Sequence, residues 1–236
     1  GYTVLATPPG ALVIAPHLYR KLPFEAAAFV PVAILTRGHL VLVARATIAA
    51  GSLQELVAFA KASPGKLTYA SPGIGTPPHL TGEMFKAAAG IQTTHVPYKG
   101  LAPAVTDLLA GHVDFMFDNI GNSLRHVREG RLKVLAIASG ARISELANVP
   151  TVAEIYPMVV STSWFGMVAP PKTPAVIAAK LSQAVADVLK LPDVTAKLRT
   201  MSFTPVGSSP AEMAASLKQE SQRWGSVISA AGIKPE

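Results

Sequence analysis

Short, dense apolar runs recur along the middle of the chain, at residues 67–70, 94–96, 113–117 and 134–138. Each is followed by turn residues and then by a stretch with helical spacing. Strand–helix alternation of this kind builds a parallel sheet, whose strands end on one edge where loops and helix starts gather. A longer apolar stretch, 30–46, predicts one or two further strands with Pro31 at the entry. Another strand is expected over 158–168, around Trp164-Phe-Gly166, and residues 1–6 read as a strand ended by the turn Thr7-Pro-Pro-Gly10.

Helix starts are marked by three Ser/Thr-x-x-Glu boxes, in which the hydroxyl takes an unpaired backbone N–H and the Glu reaches back. They are Ser52-Leu-Gln-Glu55, Thr151-Val-Ala-Glu154 and Ser209-Pro-Ala-Glu212, the last with Pro210 at the favoured first helical position. The first helix should stop at Ser63-Pro-Gly65 and the second before Pro157, whereas the third should run to about Gly232 with Met213, Leu217, Trp224 and Val227/Ile228 on one face. Thr173-Pro174 predicts one more, to about Leu189. Turn-rich segments near 44–52 and 157–170 flank the central block. They predict two crossovers, with a discontinuous outer lobe (1–44 and 160–236) and a continuous inner lobe (45–159) around a ligand cleft.

Composition narrows the function. The 236 residues are 50% hydrophobic and 15% charged, which excludes a disordered tail. The net charge of +7 comes from 21 scattered Lys and Arg with no basic run, so no nucleic-acid partner is expected. With no cysteine there is no disulfide framework, thiolate zinc site or thiol catalysis. The longest apolar stretch is broken by Arg37, His39 and Arg45, short of the about 18 residues a membrane helix needs. A chain that opens inside a strand, with no signal peptide, predicts further residues upstream.

Candidate chemistry gathers on the expected common edge. In Ser71-Pro-Gly-Ile-Gly-Thr-Pro-Pro-His79, Gly73 and Gly75 permit a tight turn and close ligand approach, Thr76 is a credible N-cap and Pro77 suits the first helical position. No Gly-Lys-Ser/Thr or third glycine follows, so this is neither a P-loop nor a dinucleotide fingerprint. If the strands are parallel, Thr76, Gly100 and Asn119 share one edge, and three helix starts there predict a carboxylate-binding surface. Asn119 can both donate and accept. Lys99 reads as solvated, Tyr98 as either pocket wall or core, and Asp118 as an acceptor for a backbone turn. The six histidines lack metal spacing, and His79, in a first helical turn, reads as neutral and hydrogen-bonded. No nucleophile elbow or carboxylate pair is present, so no catalysis, cofactor or metal is expected.

Several motifs occur in a specific order: Tyr69-Ala-Ser-Pro-Gly-Ile-Gly-Thr-Pro-Pro-His79, His95-Val-Pro-Tyr-Lys-Gly100, Ala102-Pro-Ala-Val-Thr-Asp-Leu-Leu109, Val113-Asp-Phe-Met-Phe-Asp-Asn119 and Val149-Pro-Thr-Val-Ala-Glu154. Together with Trp164-Phe-Gly166 and the Ala-Gly-Ile-Lys-Pro ending at Pro235, they resemble the Bug family, substrate-binding receptors of bacterial tripartite tricarboxylate transporters. The resemblance runs over nearly the whole chain. It implies a two-lobed α/β protein of the periplasmic-binding-protein type II-like fold, located in the periplasm. Such a receptor closes on a small carboxylate (an organic acid or acidic amino acid), passes it to membrane transporter subunits, and is a monomer when full length. By the same resemblance Ser71, Gly75 and Thr76 match the second lobe's ligand loop and Asp118 and Asn119 its strand end. Thr7, Gly10 and Ala11 fall in the first lobe's loop, with Pro8-Pro9 an unusual filling. The family begins with a further strand and helix bearing a glycine-rich ligand loop, and this chain starts after them. A sensory or regulatory receptor of the same fold is the alternative, and an enzyme on that fold would need an acid/base or metal cluster.

Overall fold

A computed structural model describes residues 3–233. In chain order the elements are β1 (Leu5–Thr7), α1 (Ala15–Leu18), β2 (Val30–Arg45), α2 (Leu53–Ala62), β3 (Thr68–Ser71), α3 (Pro77–Ala89), β4 (Thr94–Pro97) and α4 (Leu101–Ala110). They continue with β5 (Phe115–Asn119), α5 (Ile120–Arg128), β6 (Leu132–Ile137), β7 (Thr162–Ala169), α6 (Ala175–Leu189), α7 (Pro192–Thr200), β8 (Phe203–Pro205) and α8 (Pro210–Ala230). The chain divides into two compact units, Gly1–Gly38 with Ser163–Glu236 and His39–Thr162. The first boundary falls inside β2, not in the turn-rich segment that follows it, because β2 is one unbroken 16-residue strand.

In the His39–Thr162 unit the strand order is β6, β2, β5, β3, β4. Strands β3, β4 and β5 are mutually parallel, in registers that set Tyr69 opposite both His95 and Phe115. β6 runs in the same direction but is separated from them, since β2 lies between β5 and β6 and is antiparallel to both. That insertion is not legible in the alternation, because β2 is continuous with a strand of the other unit. Alternation along β2 sends Leu40, Leu42 and Ala44 to one face and Val41 and Val43 to the other. The first face is covered by α2 and α3 through Leu53, Leu56 and Phe85, and the second by α4 and α5 through Ala104, Leu108 and Ile120. Two covered faces explain why these strands read as unbroken apolar runs.

In the other unit β1 pairs antiparallel with β7, and β8 with the Thr36–Gly38 end of β2. α6 lays Ala178 on Val32, Ala33 and Ala169, and α8 buries Met213, Trp224 and Ile228. Two of the boxes close fully, at Thr151 and Ser209, although the first caps only a single 3-10 turn. At Ser52 the hydroxyl accepts from Glu55, but Glu55 reaches past it to the Gly51 N–H at 2.6 Å. The expected first strand begins at Leu5, and the turn at Thr7 leads at once into a widened helical turn (Gly10–Ile14) and α1. Gly1, Tyr2, Lys234 and Pro235 lie outside the described residues.

Candidate functional site

The C-terminal ends of β3, β4 and β5 form one edge, and backbone bonds bind their loops together. Tyr98 N–H donates to Ser71 carbonyl at 3.0 Å, and Gly100 N–H to Pro72 carbonyl at 2.9 Å. The turn after β3 is therefore fixed by the turn after β4. Gly75 stands at φ +73°, where a Cβ would be strained, and a Cβ on Gly73 would meet the Tyr98 carbonyl at 3.4 Å. Both glycines answer to local geometry.

Within that loop most polar groups are already used. Ser71, fully buried, donates to Gly73 carbonyl at 3.1 Å, accepts the Gly73 N–H at 3.3 Å, and meets His95 Nε2 at 2.7 Å. Gly75 N–H donates to His79 Nδ1 at 3.2 Å. Thr76 occupies the N-cap position of α3, but its hydroxyl caps nothing and instead donates back to Gly73 carbonyl at 2.7 Å. Pro77 and Pro78 pre-set the helical turn and remove two of its N–H donors. The helix start that the glycines and prolines advertise is thus a poorer anion site than expected. Between Gly73 and Thr76, the Ile74 N–H is the one without a protein partner.

Beneath the loop lies a column of rings. His79 stacks on His95 with centroids 4.2 Å apart, His95 on Tyr69 at 4.7 Å, and Tyr69 on Phe115 at 5.7 Å. The Tyr69 hydroxyl donates to Glu83, which also receives Lys86 Nζ at 2.8 Å. Burial lowers both imidazoles, with His95 pulled to about 4. Sequence reading leaves the pair unrecognised, because its members belong to a helix and a strand that only sheet register brings together.

The end of β5 is built differently. Asp118, 1% exposed, accepts from the Asn119 N–H at 2.7 Å and Asn122 Nδ2 at 3.1 Å, and from the Ser123 hydroxyl. Burial raises its pKa even against those three donors. Its carboxylate closes the start of α5 from within. Strand alternation puts Asn119 on the opposite face, with Phe115 and Phe117, towards α3. Its side-chain oxygen is buried without a partner. Tyr98 donates to Asp107 at 2.6 Å and packs, half-buried, against the core beside α4, and Lys99 is exposed.

In the other unit Thr7, 7% exposed, donates to Pro8 carbonyl at 3.1 Å, and Gly10 and Ala11 begin the turn into α1. Among the described residues no three His, Cys, Asp or Glu side chains form a metal-binding group, and no helix is long and apolar enough to cross a membrane.

This arrangement has close counterparts. BugT of Bordetella pertussis is 34% identical over 237 residues, covering 99% of this chain and 73% of that protein. A UPF0065 protein from the tcbD-tcbE intergenic region of Pseudomonas sp. is 33% identical, over 97% of this chain and 68% of its own length. Among solved structures, Rpa4515 of R. palustris with adipate superimposes at a TM-score of 0.92 with 34% identity, covering 100% of this chain and 80% of that one. MatC from Rhodopseudomonas palustris with bound malate gives 0.86 and 30%, over 95% and 78%. The family model described as the tripartite tricarboxylate transporter family receptor matches residues 1–233, and the chain belongs to that family.

Proposed function

We propose that this chain is a periplasmic solute-binding receptor. It captures a small carboxylate at the β3–β5 edge of the His39–Thr162 unit and delivers it to the membrane subunits of a tripartite transporter, without catalysis. The observation that carries the reading is Asn119, whose amide stands at the strand end with an oxygen the fold does not use, beside a loop whose Ile74 N–H is also unspent. An amide oxygen suits a protonated or hydroxyl group on the ligand, while the amide and loop N–H groups suit a carboxylate. Adipate and malate in two relatives at 30% identity or above support a dicarboxylate. Ser71, Gly75 and Thr76 shape the loop, and Asp118 holds Asn119 in place. Thr7, Gly10 and Ala11 belong to the other unit.

Scanning fluorimetry against a panel of organic acids and acidic amino acids tests the proposal. A ligand at about 100 times its dissociation constant adds roughly 2.7 kcal/mol of stability, enough to shift the melt. Shifts from neutral sugars or cations alone would overturn it.

A further inference from the structure

The two stacked histidines make chemically different attachments to the loop. His79 Nδ1 is an acceptor, taking the Gly75 N–H at 3.2 Å. A neutral imidazole has one such nitrogen and an imidazolium has none, so this bond requires His79 neutral with its proton on Nε2. His95 Nε2 lies 2.7 Å from the Ser71 hydroxyl, which hands its own proton to the Gly73 carbonyl. With the hydroxyl proton on the Gly73 carbonyl, His95 Nε2–H is the donor of that second attachment, which then survives protonation of His95. Only one of the two ties is therefore sensitive to a proton.

We propose that His79 is a positioning residue for the Ser71–Thr76 loop, holding the Gly75 N–H inward with its unprotonated Nδ1 and releasing it when protonated. At neutral pH the Gly75 N–H is turned away from any ligand, so the loop's left-handed turn is fixed before binding and costs no ordering when it occurs. The groups facing the His79 ring oppose a charge on it. His95 of β4 lies face to face at 4.2 Å, with Tyr69 of β3 behind it and apolar Phe115 of β5 beyond that. Glu83 of α3 favours the charge, but Lys86 of the same helix opposes it and is itself bonded to Glu83. Burial outweighs both and lowers the His79 pKa. This inference rests on the reading that the loop receives a carboxylate, although the hydrogen bond itself can be tested without one.

The test follows the Gly75 amide and the His79 ring nitrogens by 15N NMR in the ligand-free protein as pH is lowered. Neutral His79 should carry its proton on Nε2, and the Gly75 amide should shift with the same midpoint as the ring. In His79→Asn, whose side-chain oxygen replaces Nδ1 as acceptor, Gly75 should stay protected from exchange and cease to titrate. His79→Phe, which keeps a ring in the column but no acceptor, should lose that protection and bind adipate about tenfold more weakly than His79→Asn. A Gly75 amide that stays still while His79 titrates overturns the proposal, and so does equal protection in His79→Phe. If His79→Phe does not fold, the wild-type titration decides alone. Should no organic acid of the panel bind while the NMR results hold, the positioning role stands and the carboxylate reading falls.

Discussion

The turns after β3 and β5 leave the same edge of one sheet and both lead into helices, yet they complete their backbones by opposite means. After β5 a carboxylate from the strand itself, Asp118, gathers three donors and closes the start of α5. After β3 no carboxylate is used. Two prolines delete donors from α3, and neutral groups, Ser71, His79 and Thr76, tie the loop to itself and to β4. The first site spends its helix-start donors on its own carboxyl group. The other keeps its surroundings neutral and leaves room for an anion supplied by a ligand. A helix start is therefore informative only once its N–H groups have been traced to their partners.

Removing Asp118 should have the largest effect. Asp118→Ala strands the buried Ser123 hydroxyl and the half-buried Asn119 N–H, while exposed Asn122 turns to water, and should cost about 3 kcal/mol in chemical denaturation, since each unpaired group costs about 1–3 kcal/mol. A loss below about 1 kcal/mol would erase the distinction between the turns. Next comes Gly82→Ala on the α3 side. Its Cβ would stand 2.5 Å from Tyr69 Cε2, in a ring column that cannot slide, and overpacking of this kind costs about 1–3 kcal/mol. Thr76→Ala removes a hydroxyl bond to Gly73 carbonyl and no helix cap, so about 1 kcal/mol of stability is expected.

Acid should act with opposite signs at the two turns. His95 has its folded pKa pulled from 6.5 to about 4, so between those values the unfolded chain binds more protons. Its contribution is complete above pH 6.5 and is lost as pH falls towards about 4. Asp118 is raised from 3.8, so its contribution is largest below that value and is lost as pH rises through the folded pKa. Between pH 6.5 and 4 the wild-type melting temperature should therefore lose ground relative to that of His95→Phe, which keeps the Asp118 contribution and lacks the histidine's. Equal slopes would contradict the role given to the histidine.

The sequence carried the parallel strands through their alternation with helices and the Gly- and Pro-containing turns between them, although β4, Thr-His-Val-Pro, has no buried residue. It also carried the two boxes at Thr151 and Ser209. It did not carry α7, none of whose residues is fully buried, so no apolar stripe marks it. Nor did it carry β8, three residues whose pairing with Thr36–Gly38 is set entirely by tertiary contact. At the site, Asn119 was legible as a polar residue at a strand end and His79 as a neutral, bonded histidine. What Thr76 does was not legible, since the direction of its hydroxyl depends on where the Gly73 carbonyl lies. The His79–His95 stack depends on register between β3 and β4, which no local pattern encodes.

Titration of the 15N-labelled protein with adipate and with malate bears most directly on the claim that the neutral turn is the anion-binding one. The account predicts that one of the two dicarboxylates perturbs the Ile74 backbone amide and the Asn119 side-chain amide first and most, while the Ser123 amide behind Asp118 moves little. Perturbations that centre on the start of α5 and spare Ile74 and Asn119 would contradict it.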